Sequence, residues 1–207
     1  MSDTERFDTK AATWDEDAGR VALAKSVADE IARHIPLSPS DDVLDFGCGT
    51  GLLSLAVRPR VGSVTGADTS AGMLQVFEQK IRAQHIGSVT PYLIDAMRPL
   101  SAAGRFDLIT SSMALHHVRD MPALFAEFRA LLRDGGHVAL ADLDTEDGTF
   151  HTPDVKDVHH LGFERARLRT LLAEAGFEDV RDTTAFTHRR HGREYPVFLI
   201  SGRAATR

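Results

Sequence analysis

The chain has 207 residues, 43% of them hydrophobic, enough to build one sizeable core and hence one domain over 1–207. Its formal net charge of −6 disfavours unspecific binding to nucleic-acid backbones, so no nucleic-acid partner is expected. A single cysteine, Cys48, excludes an internal disulfide; with the charged N-terminus MSDTERFDTK and no apolar run of membrane-spanning length, a cytoplasmic protein off the membrane is expected.

Residues 1–13 are polar and are expected to fray until docked. From Trp14 the pattern changes. Val21, Ala22, Ala24, Lys25, Val27, Ala28, Ile31 and Ala32 fall on one helical face, and the helix stops before Pro36. Next comes VLDFGCGTG at 43–51. Val43, Leu44 and Phe46 read as a buried parallel strand, and Gly47, Gly49 and Gly51 as a tight turn that a ligand can approach. LLSLAV then has helical spacing, so a helix N-terminus faces the turn. The dinucleotide fingerprint G-x-G-x-x-G would need glycine at 52, which is Leu52. Asp45, just before the glycines, suits a ligand with a positive group better than a pyrophosphate. The plain alternative is a βα turn with a buried, capped aspartate and no ligand.

SVTGAD is a second strand ending in Asp68, with Ser70 as N-cap of a helix over 71–83. Asp68 lies about twenty residues past the glycine turn, the interval at which an acid reaches ribose hydroxyls. A third strand over 89–94 ends in Asp95, and a fourth over 106–111 ends in Ser111 and is followed by SMALHHV. Pro122 opens a helix that runs to about Arg133 and stops at DGG. HVALADLD is the fifth strand. A long polar segment follows, with Asp144, Glu146, Asp147, Asp154 and Asp157 and the histidines His151, His159 and His160. FERARLRTLLAEAGF is a helix ended by Gly176, and EDVRDTTAFT and YPVFLISGRA form an antiparallel hairpin about the basic turn HRRHGRE. The expected fold is α/β, a doubly wound, seven-stranded, mostly parallel sheet with a C-terminal antiparallel hairpin. Asp45, Asp68, Asp95, Ser111 and Asp142 all fall at carboxyl ends of strands, where ligands bind in such sheets.

Asp45, Gly47, Gly49 and Gly51 match D-x-G-x-G-x-G, and the chain resembles the class I S-adenosylmethionine-dependent methyltransferases over nearly its whole length. The resemblance implies S-adenosyl-L-methionine as cofactor and S-adenosyl-L-homocysteine as product. It implies a cofactor site from Asp45, Phe46, Gly47, Cys48, Gly49, Gly51 and Leu52; Asp68, Thr69, Ser70 and Met73; Asp95, Ala96 and Met97; and Ser111 and Ser112. Asp68 would bind the ribose, Met73 the adenosine, and Asp95 to Met97 the adenine, with core packing as the alternative for Met97. Residues 1–35 resemble a lid over the cofactor, placing Trp14 and Arg20 at the active site, with a hydrophobic anchor as the alternative for Trp14. The N-P-P-Y motif of enzymes that methylate amide or base amino groups is replaced by Ser111, Ser112, Met113 and Ala114. A small-molecule acceptor is therefore expected, and a monomer or homodimer. The other readings are an NAD(P)-linked oxidoreductase and a non-catalytic S-adenosylmethionine-binding regulator.

Methyl transfer from a sulfonium can rest on orientation alone, and a hydroxyl or thiol acceptor gains from a base. The segment 144–160 is long for a connection and is expected to select the acceptor. Within it His160 is the first candidate base, because the helix after it is a firm anchor, and His151 the second. His116, after the fourth strand, is the third, and His117 is expected to be structural. The spacings match no metal signature, so no metal site is expected.

Overall fold

The computed structural model describes residues 3–151, 155, 157–190 and 192–206. Five short runs that end in turn residues form the parallel part of one sheet: β1 (Asp42–Phe46), β2 (Ser63–Asp68), β3 (Val89–Leu93), β4 (Phe106–Ser112) and β5 (Leu132–Leu143). Helices α1 (Asp3–Lys10) and α2 (Ala18–His34) precede them, α3 (Leu52–Val57) and α4 (Ala71–Ala83) follow β1 and β2, and α5 (Met121–Leu131) precedes β5. Then α6 (Arg165–Glu174) leads into the hairpin β6 (Phe177–Arg190) and β7 (Arg193–Ala204). The strand order is β3-β2-β1-β4-β5-β7-β6, with β7 antiparallel to both neighbours. The chain winds outward from β1 to β3 and returns to lay β4 beside β1, so the crevice where ligands bind opens between the ends of β1 and β4.

Strand residues alternate between two cores. Val43, Leu108 and Leu199 meet Val27 and Ile31 of α2, Leu53 of α3 and Phe77 of α4. Their neighbours Leu44, Ile109 and Ile200 meet Phe125 and Phe128 of α5 and Leu168 of α6. The glycine turn is locked to one of these cores. Gly51 has φ +80°, and a Cβ there would fall 2.1 Å from the Phe77 ring, so no larger residue fits.

Several expectations need correction. The N-terminal residues are helical and docked: Ser70 Oγ and Gly72 N donate to Asp8 Oδ1 at 2.6 and 2.8 Å. The face that α2 buries is Leu23, Ala24, Val27, Ala28 and Ile31; Val21, Ala22 and Lys25 are exposed, because α2 is held against β6 by Ser26 Oγ donating to Ala185 O at 2.6 Å. β5 starts at Leu132, five residues before His137, since Leu132 pairs with Phe106. The stretch HRRHGRE is mostly strand: β6 runs to Arg190 and β7 begins at Arg193.

The polar segment after β5 is a loop closed at its neck. Asp144 bridges Phe163, Thr145 N donates to Phe163 O, and Glu146 N donates to Leu161 O. Arg165 grips both oxygens of Asp144 at 2.6 Å. Gly162 (φ +69°) lies so close to the Asp144 carbonyl that a Cβ would fall 2.0 Å from its oxygen.

Candidate cofactor and acceptor site

A cavity of about 660 Å³ lies at the carboxyl ends of β1, β2 and β4. Its cofactor half is built from the glycine turn. Asp45 is buried and accepts hydrogen bonds from Ser54 Oγ at 2.5 Å and Thr110 Oγ1 at 3.0 Å. Those donors are neutral, so burial prevails and pushes the Asp45 carboxyl up to about 6. Asp68 accepts Gly49 N and Ser70 N, one on each oxygen at 2.8 Å. It therefore braces the turn and the start of α4, as a strand-end capping aspartate does, and each oxygen keeps lone-pair capacity toward the cavity. Burial raises this carboxyl too, against those N–H bonds. Phe46, Gly47, Cys48, Gly49, Leu52, Thr69 and Met73 also line the cavity. Burial, with the Asp68 and Asp45 charges, drives the Cys48 thiol well above its ordinary range, which removes it as a nucleophile.

The remaining cofactor expectations divide. Ser112 and Trp14 line the cavity, whereas Gly51 and Ser70 stand behind it as turn residue and N-cap. Ser111 is buried with its Oγ unpartnered, outside the lining. Asp95, Ala96 and Met97 do not line the cavity; Ile94 does. Asp95 Oδ1 accepts Met97 N and Arg98 N at 2.8 Å, closing a turn, and Met97 is 89% exposed, so core packing is ruled out for it.

The acceptor half gathers histidines. His116, 2% exposed, has Nδ1 2.8 Å from Asp142 Oδ1, and its backbone N donates to Asp142 Oδ2 at 3.2 Å. Leu143 N donates to Asp142 Oδ1 at 2.7 Å, so three N–H groups serve one buried carboxylate. Asp142 thereby fixes the His116 tautomer with the proton on Nδ1 and leaves Nε2 as the basic nitrogen. The His117 and His151 rings lie 4.2 and 4.9 Å from that of His116. His117 Nδ1 bonds Asp157 O at 2.9 Å. His151 is pulled down to about 4, first by burial and then by the neighbouring histidines, and its Nε2 is buried without a partner. His160, the first candidate on sequence grounds, is misplaced for a base: it does not line the cavity, and its Nε2 is bonded to Val118 O at 2.9 Å. It ties the loop down instead, as do His159 N and His160 N, which donate to His116 O. Three acids of the loop are engaged in holding it: Asp144 holds Arg165, Glu146 Oε2 accepts Thr149 N and Phe150 N, and Asp147 pairs with Arg193. Asp154 lies outside the described residues. Phe150, His151, Val155 and Asp157 are the loop's contribution to the wall. Among the described residues no group of three or more His, Cys, Asp or Glu is placed to hold a metal ion.

Phe7, Phe150, His188 and Arg190 are among the lining residues that escape a sequence reading. Phe7 of α1 sits edge-on to Trp14 and His117, at 5.7 and 5.5 Å. His188 and Arg190 come from the far end of β6, and Phe150 from the loop. The alternation Phe186, His188, Arg190 was the available signal, hidden inside an apparent basic turn.

A glycine turn at a topological switch point, with acids closing the ends of β1 and β2, defines an α/β protein that binds a nucleoside-type cofactor. Residues 20–182 match the family described as methyltransferase domain, and the chain belongs to that family. It is 30% identical over 152 residues to an uncharacterized methyltransferase of Schizosaccharomyces pombe, covering 66% of this chain and 53% of that protein. It is 32% identical over 137 residues to the nocamycin O-methyltransferase of Saccharothrix syringae, covering 65% of this chain and 48% of that one. The chain thus spans about half the length of these curated relatives. A solved structure of Haemonchus contortus phosphoethanolamine N-methyltransferase 2 in complex with S-adenosyl-L-methionine superposes with TM-score 0.69 at 16% identity, over 87% of this chain and 52% of that one. The site fits that cofactor: the buried Asp45 carboxylate has only neutral donors and awaits a cation, and Asp68 keeps acceptor capacity for hydroxyls. Among the described residues no helix is long and apolar enough to cross a membrane.

Proposed function

We propose that the chain transfers a methyl group from S-adenosylmethionine to a hydroxyl oxygen of a small-molecule acceptor. The observation that carries the choice of atom is the buried His116–Asp142 pair on the cavity wall. An amine acceptor needs no base as strong or as deliberately oriented, and a hydroxyl does. When bound, S-adenosylmethionine supplies a sulfonium methyl, an electrophile that needs orientation more than activation. Asp45 would hold its ammonium group and Asp68 its ribose hydroxyls. His116 Nε2 takes the acceptor's proton, and Asp142 stabilises the imidazolium that results. Phe7, Trp14 and the docked α1 exclude water above the site. The name of the Saccharothrix relative, an O-methyltransferase, supports the same atom.

Calorimetry and product formation over a panel of hydroxylated small molecules test this. S-adenosylmethionine and S-adenosylhomocysteine are expected to bind. With the best acceptor, His116→Asn should lower turnover roughly 100-fold or more with cofactor affinity intact, while His160→Ala should cost far less. Normal turnover in His116→Asn would exclude the base, and failure to bind S-adenosylmethionine would sink the whole reading.

A further inference from the structure

We infer that the acceptor carries a carboxylate, bound by Arg190 and Arg20 on the wall where β6 meets α2, away from the atom that is methylated. The inference rests on the acceptor reading above and extends it to a substrate class.

Arg20 and Arg190 both line the cavity. Arg190 donates from Nη1 to Phe150 O at 3.2 Å and lies 4.9 Å over the Phe150 ring. No carboxylate among the described residues pairs with it. Arg20 donates from Nη1 to Trp14 O at 3.0 Å, stacks 3.8 Å over the Trp14 ring, and has Asp17 at 3.6 Å from its Nε. A guanidinium carries five N–H donors, so each keeps N–H groups for an added anion, Arg190 more of them than Arg20. The two cations are close enough to feel one another: burial lowers Arg20, Asp17 offsets that, and Arg190 adds to it. His188, also in the lining, is lowered too, first by burial and then by Arg190, so it adds little charge at neutral pH. Asp15 is already paired, with Lys80 at 2.7 Å. Arg20, Arg190 and Asp17 together leave one net positive charge here, which a carboxylate offsets.

The geometry also separates this group from the reacting atom. Between His116 and Arg190 stand the rings of His151 and Phe150, each 4.9 to 5.0 Å from the next. A carboxylate on Arg190 thus lies across an apolar, aromatic stretch from the base. The acceptor so described is a hydroxy acid with a flat or apolar body, methylated on the hydroxyl and held by the acid.

The test is calorimetry of the whole protein, with and without S-adenosylhomocysteine, against pairs of aromatic and aliphatic hydroxy acids and their primary amides, plus the matching phosphate monoesters. Carboxylates are expected to bind at least tenfold more tightly than amides. Arg190→Gln should remove most of that preference with S-adenosylhomocysteine affinity unchanged, and Arg190→Lys should restore part of it. Amides binding as tightly as acids, phosphates outranking carboxylates, no acid binding at all, or a preference that survives in both Arg190→Gln and Arg20→Gln would each overturn the inference. Failure of S-adenosylhomocysteine to bind would overturn the methyltransferase reading instead, while the acid-over-amide preference is still read in the unloaded protein.

Discussion

Asp45 shows how one residue links stability to ligand binding. Its carboxyl is raised from an ordinary 3.8 to about 6 by burial. The folded protein therefore holds this proton more tightly than the unfolded chain. The stabilisation is full below about pH 4 and is lost as pH rises through about 6, a difference of roughly 3 kcal/mol. His151 acts in the opposite sense: its value is lowered to about 4, so its contribution is present above 6.5 and lost as pH falls toward 4. The Asp45 effect is therefore read as a difference from Asp45→Asn, which should be the more stable variant at pH 7.5, keep about half of that advantage at pH 5 and lose it by about pH 4. A cationic group placed beside Asp45 favours the ionised form. S-adenosylhomocysteine should then release a proton on binding near pH 6, and its Kd should rise about tenfold per pH unit below that. A Kd that is flat from pH 5 to 7.5 would separate Asp45 from the ligand's ammonium group. At this scale the sequence showed residue types well and priorities poorly. The aspartate, the glycines and Asp68 were legible because their meaning is carried by spacing along one βα unit. The order of His160, His151 and His116 was not, because it depends on which ring nitrogen is already occupied. Val118 O takes His160, and Asp142, 26 residues downstream, orients His116.

At the scale of elements, the N-terminal segment reads as a latch. Asp15 accepts Thr50 Oγ1 at 2.6 Å and holds Lys80 at 2.7 Å, while Asp8 grips the start of α4. Both contacts land on the cofactor half, so the latch and the cofactor share a floor. Asp15→Ala should weaken the closed form by roughly 1 kcal/mol, the worth of a partly exposed pair. Hydrogen exchange over residues 7–20 should then quicken about fivefold, and S-adenosylhomocysteine should slow it in the unaltered protein. Exchange there that ignores both the substitution and the ligand would remove the lid. The hairpin was the element hardest to read. An edge strand has one solvated face, so β6 carries exposed Arg181 and Arg189 and resembles a turn in composition. Only its partner β7 reveals that His188 and Arg190 are strand residues aimed at the cavity.

For the whole molecule, the sheet is the common wall of two cores, and each strand contributes to both by alternation. Phe77 is fully buried on one face and Phe128 on the other. Phe77→Ala and Phe128→Ala should each cost roughly 3–5 kcal/mol. Because Val43 and Leu44 are consecutive residues of one strand, neither core can melt alone. Both variants should shift a single denaturant transition, seen alike by near- and far-ultraviolet circular dichroism. Two separated transitions would show the halves to be independent. The doubly wound architecture was legible from the alternation of apolar runs and helical stretches, since right-handed crossovers leave few ways to connect them.

The neck of the loop between β5 and α6 has a consequence for engineering. Asp144, Phe163 and Arg165 clamp both ends of the excursion against the sheet, so the strand before it and the helix after it stay in place whatever lies between. Doubling the length of such a loop adds only about 0.6 kcal/mol of closure entropy. Changes of length at the exposed positions inside the clamp therefore cost folding little, while changes at Phe150 and His151 alter the cavity wall and, at Phe150, the core as well. Grafting this excursion from a relative, cut at Asp144 and Phe163, should leave the fold intact and change which acceptors are turned over, while the acid preference set by Arg190 and Arg20 stays.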